Sequence, residues 1–171
     1  MRGTIVAGAL GNCVHVAGVA GFLHVAEQLG YETVFLGAAV PVEKFVEEIA
    51  KRRPSIAGVS YRLTPEVGKT LIEDFAEELR KAGVSGTRLV FGGTPPMCEI
   101  ARESGLFERC FDGLENPEEV WAYLRGESVA GKREDFGGGL LERLDRKHPY
   151  PLLRHHFGLP DLRETIEGAR K

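Results

Sequence analysis

The chain has 171 residues, 43% of them apolar and 27% charged, which excludes a disordered or fibrous polymer and suffices for one domain with a core, with or without an appendage. Twenty-two basic against 25 acidic residues leave a formal charge of −3, which argues against a general nucleic-acid binder. No apolar run reaches the ~18 residues of a membrane span, and three cysteines without CxxC spacing form neither a disulfide framework nor a cysteine zinc site. In chain order, Met1 to Val6 reads directly into a strand rather than a secretory signal, so a reduced, cytoplasmic protein is expected. The run Ile5 to Leu10 is apolar throughout and stops at Gly11-Asn12, the pattern of a buried strand followed by a loop. Gly18 to Gly30 carries Val19, Phe22, Leu23, Val25, Ala26 and Leu29 at helical spacing. Glu32 to Gly37 predicts a second strand, and Pro41 opens a helix with Val42, Phe45, Val46 and Ile49 on its inner face. Ser55 to Ser60 predicts a third strand. Thr64-Pro65 then starts a longer helix, Thr64 as N-cap, with Val67, Leu71, Ile72, Phe75 and Leu79 as its inner stripe. Arg88 to Phe91 predicts a fourth strand landing on Gly92-Gly93, followed by a helix from Pro96 to Ser104, a short strand at Phe107 to Phe111, and a helix from Asn116 to Arg125.

Strands alternating with helices imply parallel crossovers and helices on both faces of a sheet. The predicted architecture is a flavodoxin-like (Rossmann-like) doubly wound α/β fold, a five-stranded parallel sheet in the order 2-1-3-4-5, over residues 1–125. Residues 126–171 read as a charged, glycine-rich linker and a partly helical, proline-punctuated C-terminal extension. In such sheets ligands bind beyond the carboxyl ends of the strands, at the switch point between strands 1 and 3. The segments that matter are therefore Gly11 to Gly18, Ser60 to Pro65, and Gly92 to Pro96.

Those segments exclude several chemistries. No carboxylate follows strand 1 or strand 3, so a phosphoacceptor site is absent. Neither a Gly-Lys-Ser/Thr phosphate loop nor a GxGxxG fingerprint occurs, and the loop after strand 1 lacks the Ser and Thr of a flavin phosphate loop. That loop does carry one imidazole, His15, either a helix-start histidine without special role or a metal ligand. A single protein ligand suits a cofactor that brings the metal's other ligands with it. His24 reads as a surface or partly buried residue, Cys98 and Cys110 as small buried hydrophobes. His148, His155 and His156 have no partner at metal-ligand spacing.

Three motifs in order, Cys13-Val14-His15-Val16-Ala17-Gly18, Ser60-Tyr61-Arg62-Leu63-Thr64-Pro65 and Gly92-Gly93, resemble the cobalamin-binding domain of methionine synthase, methylmalonyl-CoA mutase and glutamate mutase, in which Asp-x-His-x-x-Gly, Ser-x-Leu and Gly-Gly follow strands 1, 3 and 4. The resemblance covers residues 2–125, with spacing nearest the glutamate mutase small subunit. It implies a cobalamin whose benzimidazole tail leaves the cobalt and enters a slot in the sheet, His15 taking the vacated position as lower cobalt ligand. Gly18, Ala20 and Gly21 would form one small-residue wall of the slot, and Gly92 and Gly93 would let the backbone come close. Ser60 matches the serine that bonds the buried benzimidazole nitrogen, while Thr94 is a turn hydroxyl with a cofactor contact. Tyr61 either covers the nucleotide or packs. Thr64 and Leu63 complete the segment after strand 3. Two departures stand out. Cys13 replaces the aspartate that orients the histidine, with Asn12 as a substitute partner after a loop adjustment. Arg62 falls at the leucine position, with Leu63 beside it, and either reaches a cofactor phosphate or amide or faces solvent.

The resemblance implies a cofactor-binding component without a complete active site of its own. The start of strand 1 at residue 3 leaves no room for the helical cap of methyl-carrying corrinoid proteins. The main expectation is therefore the cofactor subunit or domain of an adenosylcobalamin-dependent isomerase (mutase), paired with a substrate-binding barrel and preferring adenosylcobalamin to methylcobalamin. The alternatives are a methyl-carrying corrinoid protein of a methyltransferase system, a non-enzymatic cobalamin-binding or sensing module, and a relative that has kept the fold and lost the cofactor. No nucleic-acid or membrane partner is expected, and a homo-oligomer is compatible with the sequence.

Overall fold

A computed structural model describes residues 2–115 and 117–127 of the chain. The strands are β1 (Thr4–Leu10), β2 (Glu32–Val40), β3 (Ile56–Tyr61), β4 (Arg88–Gly93) and β5 (Arg109–Phe111). They alternate with helices α1 (Ala17–Gln28), α2 (Val42–Arg52), α3 (Pro65–Lys81), α4 (Pro95–Glu103) and α5 (Pro117–Arg125). The five strands are parallel and ordered β2-β1-β3-β4-β5, the expected topology. The residues of the predicted extension beyond 127, including His148, His155 and His156, lie outside the described residues, as does Asn116.

The apolar runs form strands because both faces of the sheet are covered, so alternation with polar residues has no solvent face to serve. Helices α2, α3 and α4 cover one face through Phe45, Val46, Ile49, Ile72, Phe75, Leu79, Met97 and Cys98, all in one buried cluster. Phe45 meets Phe75 edge-on at 5.6 Å. Helices α1 and α5 cover the other face through Val19, Leu23, Ala26 and Leu124, packed on Ile5, Ala7, Ile56 and Val90. The two cores are unequal. The first is filled with large side chains, the second is smaller and leaves space.

Three local expectations change. Strand β2 runs on through Gly37 to Val40, where a turn signal ends the predicted strand. Gly37 (φ 103°) and Ala39 (φ 53°) take left-handed backbone there, and the β1–β2 register shifts accordingly. In α3 the inner stripe contains Gly68 rather than Val67: Val67 is 44% exposed, while Gly68 is buried against Met97 and Tyr61. The helix turns that way because α4 lies close enough that only a residue without a side chain fits between. Thr64 sits at the N-cap in extended backbone as expected, but its hydroxyl makes no capping bond.

Candidate functional site

The loop carrying His15 is hung from the end of β2. Gly11 N–H donates to Val40 carbonyl (2.8 Å), Cys13 N–H to Leu10 carbonyl (3.1 Å), and Ala39 N–H to Cys13 carbonyl (2.9 Å). The three extra residues of β2 are what anchor this loop. Cys13 is fully buried within the α2–α4 core, whereas Asn12, Val14 and His15 are exposed. The Cys13 Sγ stands 3.7 Å from His15 Nδ1, so the thiol is the partner of that ring nitrogen, and no bond from Asn12 reaches the ring. A metal bound at Nε2 requires the proton on Nδ1, which then donates to sulfur, a weaker acceptor than a carboxylate. Among the described residues no cluster of three or more His, Cys, Asp or Glu is disposed to hold a metal ion. His15 is the one imidazole of this loop.

Immediately after the loop, a cleft of about 370 Å³ opens between the sheet and the α1/α5 layer. Its floor is a row across three strands, Ala7, Gly58 and Val90, paired in register. The next row toward the carboxyl ends is Ser60, Gly92 and Phe111, also in register. Small residues dominate both rows, and the cleft exists because they carry so little volume. Helix α1 forms one wall with Gly18, Gly21, Phe22 and Val25, and α5 forms the other with Val120 and Trp121. Phe22 and Phe111 lie 5.9 Å apart, centroid to centroid.

The glycines divide by what a Cβ would meet. At Gly18 and Gly21 it would meet nothing within 4 Å, and at Gly92 only the Ser60 Oγ at 4.0 Å. Gly93 differs: a Cβ there would stand 2.7 Å from Phe91 and 2.8 Å from the Tyr61 carbonyl oxygen. Gly18, Gly21 and Gly92 thus keep space open, while Gly93 is demanded by packing. Ser60 is buried, and its hydroxyl has no hydrogen-bond partner among the described residues although it borders this apolar cleft. Its oxygen is not among the described buried side-chain atoms left without a partner, so it stays open to the cleft, where a ligand with an acceptor or donor at that depth can meet it.

The α5 wall is held from several sides. Tyr31 Oη donates to the Leu124 carbonyl (2.8 Å), and Arg109 pairs with Glu119 (2.9 Å). Arg88 grips Glu108 with three contacts of 2.5 to 3.0 Å, which hold that carboxyl below its usual range. The same guanidinium lies 4.8 Å over the Tyr123 ring, whose hydroxyl burial shifts upward in pKa.

Of the residues expected at the site, Gly18, Gly21, Ser60, Arg62, Gly92 and Gly93 line one cleft, and Asn12, Cys13 and His15 belong to the loop that precedes it. Ala20, Leu63, Thr64 and Thr94 are not in its lining, Thr64 and Thr94 being N-caps of α3 and α4. Tyr61 is 1% exposed in the opposite core, so of its two readings the packing one describes its place. The cleft also contains residues the sequence reading passed over: Ala7, Gly58, Phe22, Phe111 and Trp121. Gly58 had a signal, since Gly58 and Ser60 are two small residues on one face of a strand. The aromatics come from three separate elements and read individually as core.

Comparisons with known proteins converge. The family described as B12 binding domain matches residues 3–119, more than half of the chain. Trimethylamine corrinoid protein 1 of Methanosarcina mazei is 36% identical over 108 residues, covering 60% of this chain and 47% of that protein. The chain thus spans about half the length of the curated relatives it matches. A crystal structure of a cobalamin-binding protein from Desulfitobacterium hafniense superposes with a TM-score of 0.52 at 27% identity, over 64% of this chain and 52% of that one. The methanol:cobalamin methyltransferase complex of Methanosarcina barkeri gives a TM-score of 0.59 at 17% identity, over 86% of this chain and 52% of that one, a likeness of fold.

Proposed function

Because the chain belongs to the B12 binding domain family, we propose that it carries a corrinoid, tail down in the cleft beside α1, as the corrinoid-holding part of a methyl-transfer system. The observation that carries this reading is an apolar cleft that Gly18, Gly21 and Gly92 leave open, with the Ser60 hydroxyl on its wall and not bonded to any described residue. A volume of about 370 Å³ sits at the lower end of the ~300–1,000 Å³ of small-molecule sites, room for an aromatic base and its sugar but not a macrocycle. The donor set fits the group: one hydroxyl at depth, aromatic Phe22, Phe111 and Trp121 for a flat base, and one imidazole outside for cobalt.

Bound corrinoid supplies a cobalt centre that accepts and gives up a methyl group. The protein's own part is positional. With a corrinoid bound, His15 would offer Nε2 to the cobalt, Cys13 would orient the ring through Nδ1, and Ser60 would hydrogen-bond the nucleotide base. The relatives favour methyl transfer over the isomerase expectation. They are named as corrinoid proteins for trimethylamine, and a fold neighbour is a methyltransferase complex. The mutase assignment, the substrate barrel as partner and the preference for adenosylcobalamin are replaced together. The partner we propose is a methyltransferase protein, and the form carried is methylcorrinoid.

The test uses Trp121, the one tryptophan of the sequence, which lines the cleft. Titration of the purified chain with methylcobalamin should quench its fluorescence and shift the corrinoid absorption as benzimidazole leaves cobalt. His15→Ala should keep the quench and replace the imidazole-ligated spectrum with that of a corrinoid lacking a lower nitrogen ligand. An absence of both signals in the unmodified protein overturns the reading. The methyl-transfer part is checked by reducing the loaded protein and supplying trimethylamine with its methyltransferase. Formation of methylcorrinoid supports the assignment, and its absence with trimethylamine, monomethylamine and methanol systems alike refutes it.

A further inference from the structure

Two charged side chains border the otherwise apolar cleft, Arg62 and Glu115, and their circumstances are opposite. The Glu115 carboxylate is engaged, accepting the N–H groups of Asp112 (2.5 Å) and Gly113 (2.8 Å). Arg62 is exposed and has no ion pair or hydrogen bond among the described residues. Arg88 and Arg109, beside the same cleft's outer wall, are each committed to a carboxylate. Arg62 therefore presents a cation without an ion pair at a cleft whose one lining carboxylate is already engaged by backbone donors.

Its height in the cleft is set by the strand. Arg62 follows the last residue of β3 and lies two residues beyond Ser60, roughly 7 Å farther toward the mouth at the rise of an extended chain. In a corrinoid the tail runs from macrocycle to phosphodiester to ribose to base. A base at the level of Ser60 leaves its sugar next and its phosphate above, at the level of Arg62. The phosphodiester is the one anion of that tail, and a planar guanidinium pairs with phosphate through two parallel N–H···O bonds.

We propose that Arg62 recognises the phosphodiester of the corrinoid's nucleotide tail and so makes this chain select corrinoids that carry it. The inference rests on the corrinoid reading above and deepens it. Charge-assisted hydrogen bonds at a partly open site contribute enough for about a tenfold change in affinity.

The experiment titrates the full chain, by Trp121 quenching, with cobalamin, cobinamide phosphate and cobinamide, the last ending before the phosphate. Arg62→Ala should weaken cobalamin and cobinamide phosphate about tenfold and leave cobinamide within about twofold. Arg62→Lys should recover part of the loss, and added salt should weaken the unmodified protein more than the Ala variant. Equal losses for all three ligands, or no loss for any, overturn the assignment while leaving corrinoid binding intact. Failure of the unmodified protein to bind any of the three refutes the corrinoid reading itself, and the Arg62 assignment with it. Arg62 is exposed and makes no hydrogen bond or ion pair with the described residues, so an unchanged melting curve is the control for each variant.

Discussion

Replacing Gly21 with alanine should stabilise the protein while weakening its hold on a ligand, two effects of opposite sign from one methyl group. Gly21 lies inside α1, where glycine is about 1 kcal/mol worse than alanine. A Cβ there meets no atom within 4 Å, so nothing opposes the gain. For a domain of this size about 1 kcal/mol corresponds to a melting temperature roughly 4 °C higher. The residue also lines the cleft, where a larger side chain competes with the ligand. Gly21→Leu should therefore melt no lower than the unmodified protein and bind corrinoid about 5- to 150-fold more weakly, the range set by an overpacking penalty of about 1–3 kcal/mol. Gly93→Ala is the contrast. Its Cβ would press on the Tyr61 carbonyl oxygen at 2.8 Å, and backbone cannot step aside, so about 1–3 kcal/mol of stability should be lost. Thermal melts and Trp121 quenching read both quantities. Melting shifts of the same sign for Gly21→Ala and Gly93→Ala, or undiminished corrinoid binding by Gly21→Leu, would refute the division of the glycines into space-keepers and packers.

Cys13→Ala removes the sulfur at 3.7 Å from His15 Nδ1. The histidine-ligated fraction of bound corrinoid, read from its absorption spectrum, should fall several-fold, short of the ~10–100-fold typical of stronger orienting partners. Tyr61→Phe should leave stability unchanged or raise it by about 1 kcal/mol in denaturant melts, because the Tyr61 hydroxyl is buried without a partner; a loss above that amount would show a bond the fold depends on. Burial pushes the Cys98 thiol up to about 12 from a starting value of 9.0. The unfolded chain therefore ionises first on the alkaline side. The thiol's contribution is fully present below pH 9 and is lost as pH rises from about 9 toward 12. Cys98→Ala should flatten that part of the stability profile, and native protein at neutral pH should leave Cys98 unalkylated by iodoacetamide.

Fold and site were legible in the sequence to different degrees. Strand runs such as Ile5 to Leu10 are apolar without interruption because both faces are covered, and that alone marks a parallel sheet. The loops after strands 1, 3 and 4 follow from topology, so His15, Ser60 and Gly92 could be found without coordinates. The end of β2 could not, because Gly37 signals a turn by itself, and only pairing with β1 keeps the strand going to Val40. Val67 was placed on the inner face of α3 by hydrophobicity, yet the approach of Met97 from α4 is a tertiary fact that puts Gly68 there instead. The aromatic walls were illegible for a similar reason: Phe22, Phe111 and Trp121 meet only once α1, β5 and α5 have packed. Whether a neighbouring mutase or methyltransferase uses the domain is written in neither the strands nor the loops, which explains why the isomerase expectation gave way to relatives of another kind.

In β3 the small residues of the cleft and the large residue of the filled core occupy neighbouring positions, Ser60 beside Tyr61. Inserting or deleting a single residue upstream within that strand would exchange their roles, driving a tyrosine into the tail's path and a serine into the solid side. A two-residue change preserves the parity. Length variation along β3 should therefore be permitted only in pairs, so the odd-even count of one short strand protects the ligand site and the core with the same constraint.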